Sequence, residues 1–469
     1  MMMLAFPLPR PRQAGTSALD CRWRAMLGGA LAAAAFALPH APAGATELPG
    51  QNSRNWVGTW ATAPDGPPPD FHLQTFTAQT VRLIVRTSIG GTQVRIGLSN
   101  EHGATPLHVG AAHVALCQSG AAIVAASDRT LTFGGAPSLI IEPGGGALSD
   151  PVDLDLPAMS DLAVSIHLPG ASEASTIHDA ALQTSYVSEP GDFTHAASFP
   201  VERTMSSWPF LTTVDVRSPV AAVAVVALGD SITDGYVTGI DRNRRWPDLL
   251  ARRLLSAREK LKPPGLDPLQ GAPDLYSSNR LVGVLNMGIA GDRLRAPAWQ
   301  IAGASVLARF ERDVLAMAGV QYLIVLIGIN DIGNPLAGAI PTTDTFEPEY
   351  LIEGYRELIA LARARGIAVY GATLTPFEDT IYTNYYTPEK ELVRQAVNQW
   401  IRSSGQFDAV IDFERALADP GHPGRMRAEF DSGDHLHPNE LGMQAMADAI
   451  PLGLFRDASL ARAKALWAR

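Results

Sequence analysis

Residues 223–235 read VAVVALGDSITDG. An apolar run of mostly β-branched or small residues leads straight into Gly-Asp-Ser, the pattern of a strand buried on both faces that stops at Gly229. Asp230 and Ser231 then fall at the strand's C-terminal edge, where open α/β sheets bind their ligands. A serine there is a candidate nucleophile, although serines also cap helices and form turns. Three later stretches give it company: NMGIAG at 286–291, GIND at 328–331 and DHLH at 434–437.

Outward from this strand the chain alternates. Strand patterns at 222–228, 281–286, 322–328, 367–374 and 409–413 are separated by helical patterns. The helix at 246–260 places Trp246, Leu249, Leu250 and Leu254 on one face; 304–318 does so with Val306, Leu307, Phe310 and Val314. The helix at 348–365 uses Leu351, Tyr355, Leu358 and Ile359, and 389–402 uses Leu392, Val393, Ala396, Val397 and Trp400. Five strand–helix repeats imply a parallel sheet wrapped by helices on both faces. A last helix at about 438–450 carries Pro438 in its first turn. Loops at 262–280, 332–347 and 375–388 are assigned to the sheet's C-terminal edge, and Tyr382, Tyr385 and Tyr386 are candidates to line a substrate groove there; packing at the surface is the equal alternative.

Residues 57 to about 216 have a different character. Short alternating runs at 81–89, 93–100, 129–133, 138–142, 152–156 and 161–168 read as the strands of an all-β sandwich, with Gly90-Gly91 as a hairpin turn. Such a module either binds carbohydrate or packs beside the active site, and the second reading is slightly favoured. Trp60 and Trp208 are then core residues as readily as sugar platforms. Residues 203–220 suit a linker or a last strand. The domain division is 1–45, 46–216 and 217–469.

The chain has 469 residues, 46% hydrophobic and 18% charged, with a formal net charge of −10. That composition suits a folded protein and argues against nucleic acid as a partner. Arg22 and Arg24 precede an apolar run from Ala25 to Leu38, and Ala43-Gly44-Ala45 offers a cleavage site before Thr46, which together read as an export signal over 1–45 and a secreted or periplasmic destination. The run is shorter than the ~20 residues of a membrane span. Residues 1–24 are long for the start of a signal, so Met26 is an alternative start. Cys21 would leave with the signal; Cys117, in the apolar pattern HVALC, is expected to be a buried inert thiol.

Ester hydrolysis by serine needs a base for the hydroxyl proton, an acid to orient the base, and N–H donors for the oxyanion. Ser231 follows the first strand. Asp434 and His437 stand three residues apart, a spacing that lets one short turn carry acid and base; the alternative is a loop pair capping the next helix. His435 is unmarked and expected to be dispensable. The oxyanion donors would be the Ser231 N–H, the Gly291 N–H and the Asn330 side-chain amide, against plainer roles in turns.

The order GDSIT, glycine block, GIND, DHLHP resembles the SGNH hydrolases, also called GDSL-type esterases and lipases, over roughly residues 221–455. Carried over position by position, the resemblance implies Ser231 as nucleophile, Ser231, Gly291 and Asn330 as oxyanion donors, and Asp434 and His437 as acid and base. It also implies a flavodoxin-like three-layer α/β/α sandwich and no metal or organic cofactor. Ile232 and Thr233 depart from the eponymous motif at positions that pack rather than react. NWVGTWATAP (55–64) and RLIVRTSIGGTQVRIGLSNEHG (82–103) resemble the β-sandwich found ahead of this domain in some secreted bacterial members.

Competing chemistries fit less of the chain. No serine lies in a G-x-S-x-G pentad. No H-E-x-x-H or cysteine pair marks a metal-dependent deacetylase, whose nearest candidates are His435 and His437. A Mg²⁺ phosphotransfer site at Asp230 and Asp234 would leave Asn330, Asp434 and His437 without a role. The expected activity is a secreted serine carboxylesterase, a carbohydrate O-acetyl esterase first and a lipase or arylesterase second. Acyl transfer by the same residues remains open, as does a sugar-binding protein with a relic hydrolase domain.

Overall fold

The computed structural model describes residues 56–66, 74–260, 280–297, 303–333 and 347–455. The signal expected at 1–45, nearly all of the 262–280 loop and most of the 332–347 loop lie outside these residues.

The quoted stretch forms β1 (Ala222–Gly229), buried from Val223 onward. It is central in a parallel sheet with β2 (Leu281–Gly288), β3 (Val320–Leu326), β4 (Ala368–Ala372) and β5 (Ala409–Ile411), in spatial order β2-β1-β3-β4-β5. This order reverses direction at β1, between β2 and β3, which makes the C-terminal end of β1 the switch point where a crevice opens. Two groups of helices pack on the sheet: α2 (Trp246–Lys260), α6 (Phe413–Leu417) and α7 (Glu440–Ala449), and then α3 (Ile329–Gly333), α4 (Pro348–Ala364) and α5 (Pro388–Ser403). Right-handed crossovers put α2 on one face and α4 and α5 on the other, because the chain steps one way from β1 to β2 and the other way from β3 to β5.

Four local expectations need correction. The 304–318 segment is not one helix. It holds a single π-turn, Glu311–Leu315, after a run of turns; Arg309 and Arg312 on this segment both reach Asp313, and the bulge suits that convergence. Helix α5 is rotated from its apolar reading. Leu392 is 70% exposed, while Arg394, Val397, Asn398 and Ile401 face inward. The cause is polar: Arg394 and Asn398 bind the Leu374 backbone after β4 and also Glu414. Pro438 precedes α7 rather than opening it, because Asn439 is the cap and accepts from the N–H groups of Leu441 and Gly442. Arg280, at the end of the 262–280 stretch, enters β2 at its first residue, so that loop leads to the sheet edge opposite Ser231.

The first part of the chain forms two larger antiparallel sheets, of five and seven strands, whose inner residues share one hydrophobic core with the parallel sheet. Gly90-Gly91 is a corner, not a hairpin. Thr75–Arg86 lies in the seven-stranded sheet and Gly91–Ser99 in the five-stranded one. A Cβ on Gly90 would stand 2.4 Å from the Leu156 carbonyl oxygen, which is why only glycine passes there. Residues 211–217 are a central strand, pairing with both Trp56–Ala61 and Gly91–Ser99, so this end of the 203–220 stretch is no linker. Trp60 and Trp208 are buried edge to face, 4.9 Å apart, and the Trp208 indole donates to the Ile84 carbonyl; they are core residues. Cys117 is half-buried, and burial pushes its thiol up to about 11.

This part covers edge strand β2. Ser88 Oγ accepts from the Val284 N–H at 3.0 Å, and the Gly58 N–H donates to Ala318 O at 2.9 Å. A Cβ on Gly283 would lie 2.1 Å from the Gly58 carbonyl oxygen, a backbone atom with no rotamer to change. Gly283→Ala should therefore destabilise the protein by about 1–3 kcal/mol, read as a lower melting temperature; an unchanged melting curve would contradict this packing.

Candidate active site

At the end of β1 the chain turns into α1 (Ser231–Asp234), a single helical turn capped by Asp230, whose Oδ1 accepts from the Ile232 N–H at 3.0 Å. The cap fixes Ser231 as the first residue of the turn. Among the described residues no acceptor meets the Ser231 N–H or the Gly291 N–H, so both can serve a ligand. Gly291 takes φ +78°, a conformation open to glycine.

Ser231 Oγ lies 2.8 Å from His437 Nε2, and His437 Nδ1 lies 2.6 Å from Asp434 Oδ2. The carboxylate accepts the Nδ1 hydrogen, which leaves the Nε2 lone pair facing the serine hydroxyl. Asp434 is held by its own turn. Its Oδ1 accepts from the N–H groups of Leu436 and His437 at 3.0 and 2.8 Å and from the Ser432 hydroxyl at 2.9 Å. Burial alone would raise the Asp434 pKa; the His437 bond and charge and these N–H donors outweigh it and hold the carboxyl well below the usual range. His435 takes φ +59° and turns its half-exposed ring to Asp431 instead.

Asn330, second residue of α3, is oriented at both ends. Its Oδ1 accepts from the Tyr385 hydroxyl at 2.7 Å, and its Nδ2 donates to Asp292 O at 2.9 Å, leaving one amide hydrogen for a ligand. Of the three tyrosines read as groove candidates, Tyr385 is thus buried behind Asn330. Tyr382 is partly exposed, its hydroxyl 3.4 Å from Asp434 Oδ2, and burial with the Asp434 charge pushes it up to about 12. Tyr386 packs on Phe377. Tyr236, which the sequence did not single out, stands 4.7 Å from the His437 ring and is partly exposed.

Arg309 also went unread. Fully buried, it donates to Asp292, Asp313, Gly229 O and Met287 O, so it joins the ends of β1 and β2 to the glycine block. An arginine and an aspartate four apart in the 304–318 pattern were the available signal. Burial pushes Asp230 up to about 8, Asp331 to about 7 and Asp292 to about 6. Among the described residues no three His, Cys, Asp or Glu side chains are arranged to hold a metal ion. Asp230 and Asp234 are each engaged within the protein, in the cap and with His178.

Residues 225–450 match the model of the family described as GDSL-like Lipase/Acylhydrolase. The matched part, just under half of the chain, is similar to that family, and the chain is a carboxylic ester hydrolase. Solved structures similar to it include a GDSL-like lipase from Bacteroides thetaiotaomicron VPI-5482 (16% identity, 48% of this chain and 84% of that one, TM-score 0.31). Others are the aryl esterase of M. smegmatis (13%, 51% and 99%, TM-score 0.35) and a carbohydrate acetylesterase from Sinorhizobium meliloti (11%, 51% and 99%, TM-score 0.35). Among curated proteins there is no match.

Removing the Asn330 amide should lower kcat. Asn330→Ala is expected to lose about 10²–10³-fold, the usual effect of deleting one oxyanion donor, with KM for p-nitrophenyl acetate little changed. Tyr385→Phe, which frees Asn330 Oδ1, should lose less. An Asn330→Ala enzyme with unaltered kcat would remove the amide from the reaction.

Proposed function

We propose that the protein is an exported serine esterase that works through an acyl-enzyme. The observation that carries this is the hydrogen-bond chain Ser231–His437–Asp434, closed by residues far apart in sequence at the switch point of the sheet. In this reading His437 Nε2 takes the Ser231 hydroxyl proton as Oγ attacks the ester carbonyl. The oxyanion is held by the Ser231 and Gly291 N–H groups and the free Asn330 amide hydrogen. The tetrahedral species collapses, His437 gives its proton to the departing alcohol, and the acyl group stays on Oγ. Water then repeats the cycle through the same histidine and releases the acid. Residues 1–45 serve as the export signal in this reading, 46–216 form a β-sandwich accessory domain, and 217–469 form a flavodoxin-like hydrolase domain.

The substrate class proposed is a carbohydrate O-acetyl ester. Tyr236 and Tyr382 stand with ring centroids 4.7 and 6.1 Å from that of His437, and aromatic faces of this kind pack on the apolar face of a sugar ring. A second reading, a short-chain aryl or lipid ester, is favoured by exposed Val237, Ile240 and Ile381, which follow or precede those tyrosines in the chain.

Mature protein should cleave p-nitrophenyl acetate faster than longer-chain esters and release acetate from acetylated xylan. Ser231→Ala should lose at least ~10³-fold, whereas His435→Ala should keep its activity and His437→Ala should not. Full turnover by Ser231→Ala would overturn the assignment. Turnover of aryl esters with no acetate from any acetylated polysaccharide would favour the second reading.

A further inference from the structure

A buried side-chain pair, His178 and Asp234, joins the antiparallel part of the chain to the nucleophile's helix. His178 lies in the two-residue strand Ile177–His178, which is clamped by reciprocal backbone bonds between Ile177 and Asp65 at 2.7 and 2.9 Å and pairs with Trp208–Pro209. Its Nδ1 is 3.0 Å from Ala63 O and its Nε2 is 3.0 Å from Asp234 Oδ1. The two side chains are 5% and 3% exposed. Asp234 is the last residue of α1, three after Ser231.

The proton count follows from the partners. A carbonyl oxygen only accepts, so Nδ1 carries a hydrogen. Nε2 then faces a carboxylate oxygen, and that contact is a hydrogen bond only if a further proton lies between them. The pair therefore works as imidazolium against carboxylate, charges cancelling inside the protein. Burial pushes the His178 pKa down, but the charge and hydrogen bond of Asp234 outweigh it and leave the pKa raised. Other charged groups face the ring. Arg245, whose guanidinium holds the carbonyls of Ala180 and Ala181, disfavours the charged imidazole, while the carboxyls of Asp65 and Asp179 couple to it with the opposite sign. Trp208 stacks on the ring at 5.7 Å, fixing its plane.

The far side of α1 is closed as well. A Cβ on Gly288, at the end of β2, would stand 2.3 Å from the Asp234 nitrogen. Helix α1 is thus packed between the glycine block on one side and His178 on the other.

We propose that His178 is a positioning residue for ester hydrolysis, so that the antiparallel part of the chain is a structural half of the active site rather than a detachable substrate-binding module. The inference rests on Ser231 being the nucleophile. His178 holds Asp234, Asp234 holds α1, and α1 carries both Ser231 Oγ and the Ser231 N–H. The charged pair is present below the raised pKa of His178 and is lost as pH rises through it.

The test uses the full chain and p-nitrophenyl acetate, with Ser231→Ala, His178→Gln and Asp234→Asn made in parallel and folding checked by thermal melting. His178→Gln should lower kcat by about 10- to 100-fold, as expected for a misplaced nucleophile, with KM little changed. Asp234→Asn offers an amide hydrogen to the Nε2 lone pair of a neutral His178, so the bond survives without charge. Its kcat should persist into alkaline pH where that of the wild type declines. A folded His178→Gln with wild-type kcat, alongside an inactive Ser231→Ala, would overturn the positioning role and leave the nucleophile in place. Identical alkaline limbs for wild type and Asp234→Asn would overturn it too, and this comparison decides even if His178→Gln does not fold. An active Ser231→Ala would overturn both readings.

Discussion

The 2.8 Å contact between Ser231 Oγ and His437 Nε2 joins residues 206 positions apart. One hydrogen bond contributes about 1 kcal/mol net, far too little to close such a loop. The contact exists because the core closes the loop for it. β1 is buried from Val223 onward and delivers Ser231 at a fixed height, and α7, packed against α2, brings the 434–437 turn to the same edge. Asp434 adds the local order: by accepting the N–H groups of residues 436 and 437 as well as the imidazole hydrogen, it shapes the turn and aims the ring with one carboxylate.

The constraint has an electrostatic cost. Around the end of β1 the fold buries Asp230, Asp292, Asp331 and Arg309 completely or nearly so. Desolvating such groups is expensive, and a buried pair stabilises little against an apolar alternative, although breaking it by removing one partner costs about 3–5 kcal/mol. Arg309 reduces the cost by meeting two carboxylates and two carbonyls at once. These groups sit where a site needs fixed dipoles and a low local dielectric, so stability is given up where rigidity and field strength are useful.

Much of this was legible. Five apolar runs marked five parallel strands within about two residues, because a strand buried on both faces has little freedom of composition. Ser231, Asn330, Asp434 and His437 could be singled out because each follows a strand or precedes a helix in a short polar motif. The failures share a cause: contacts distant in sequence. Gly90-Gly91 has the composition of a hairpin turn, but which sheet each flanking strand joins is decided by Leu156 and Arg217. Helix α5 has an apolar stripe at Leu392 and Ala396, yet Arg394 and Asn398 face inward because Leu374 and Glu414 await them. His178 is one histidine among eleven, and nothing local distinguishes it; only the fold brings Asp234 to it.

The central claim is that Ser231 is an activated nucleophile. The most direct measurement is mass spectrometry of the intact, folded protein after reaction with a fluorophosphonate, followed by peptide mapping of the adduct. The account predicts one adduct per chain, on Ser231, formed much more slowly in His437→Ala. An adduct on another residue, or none while ester turnover continues, would contradict it.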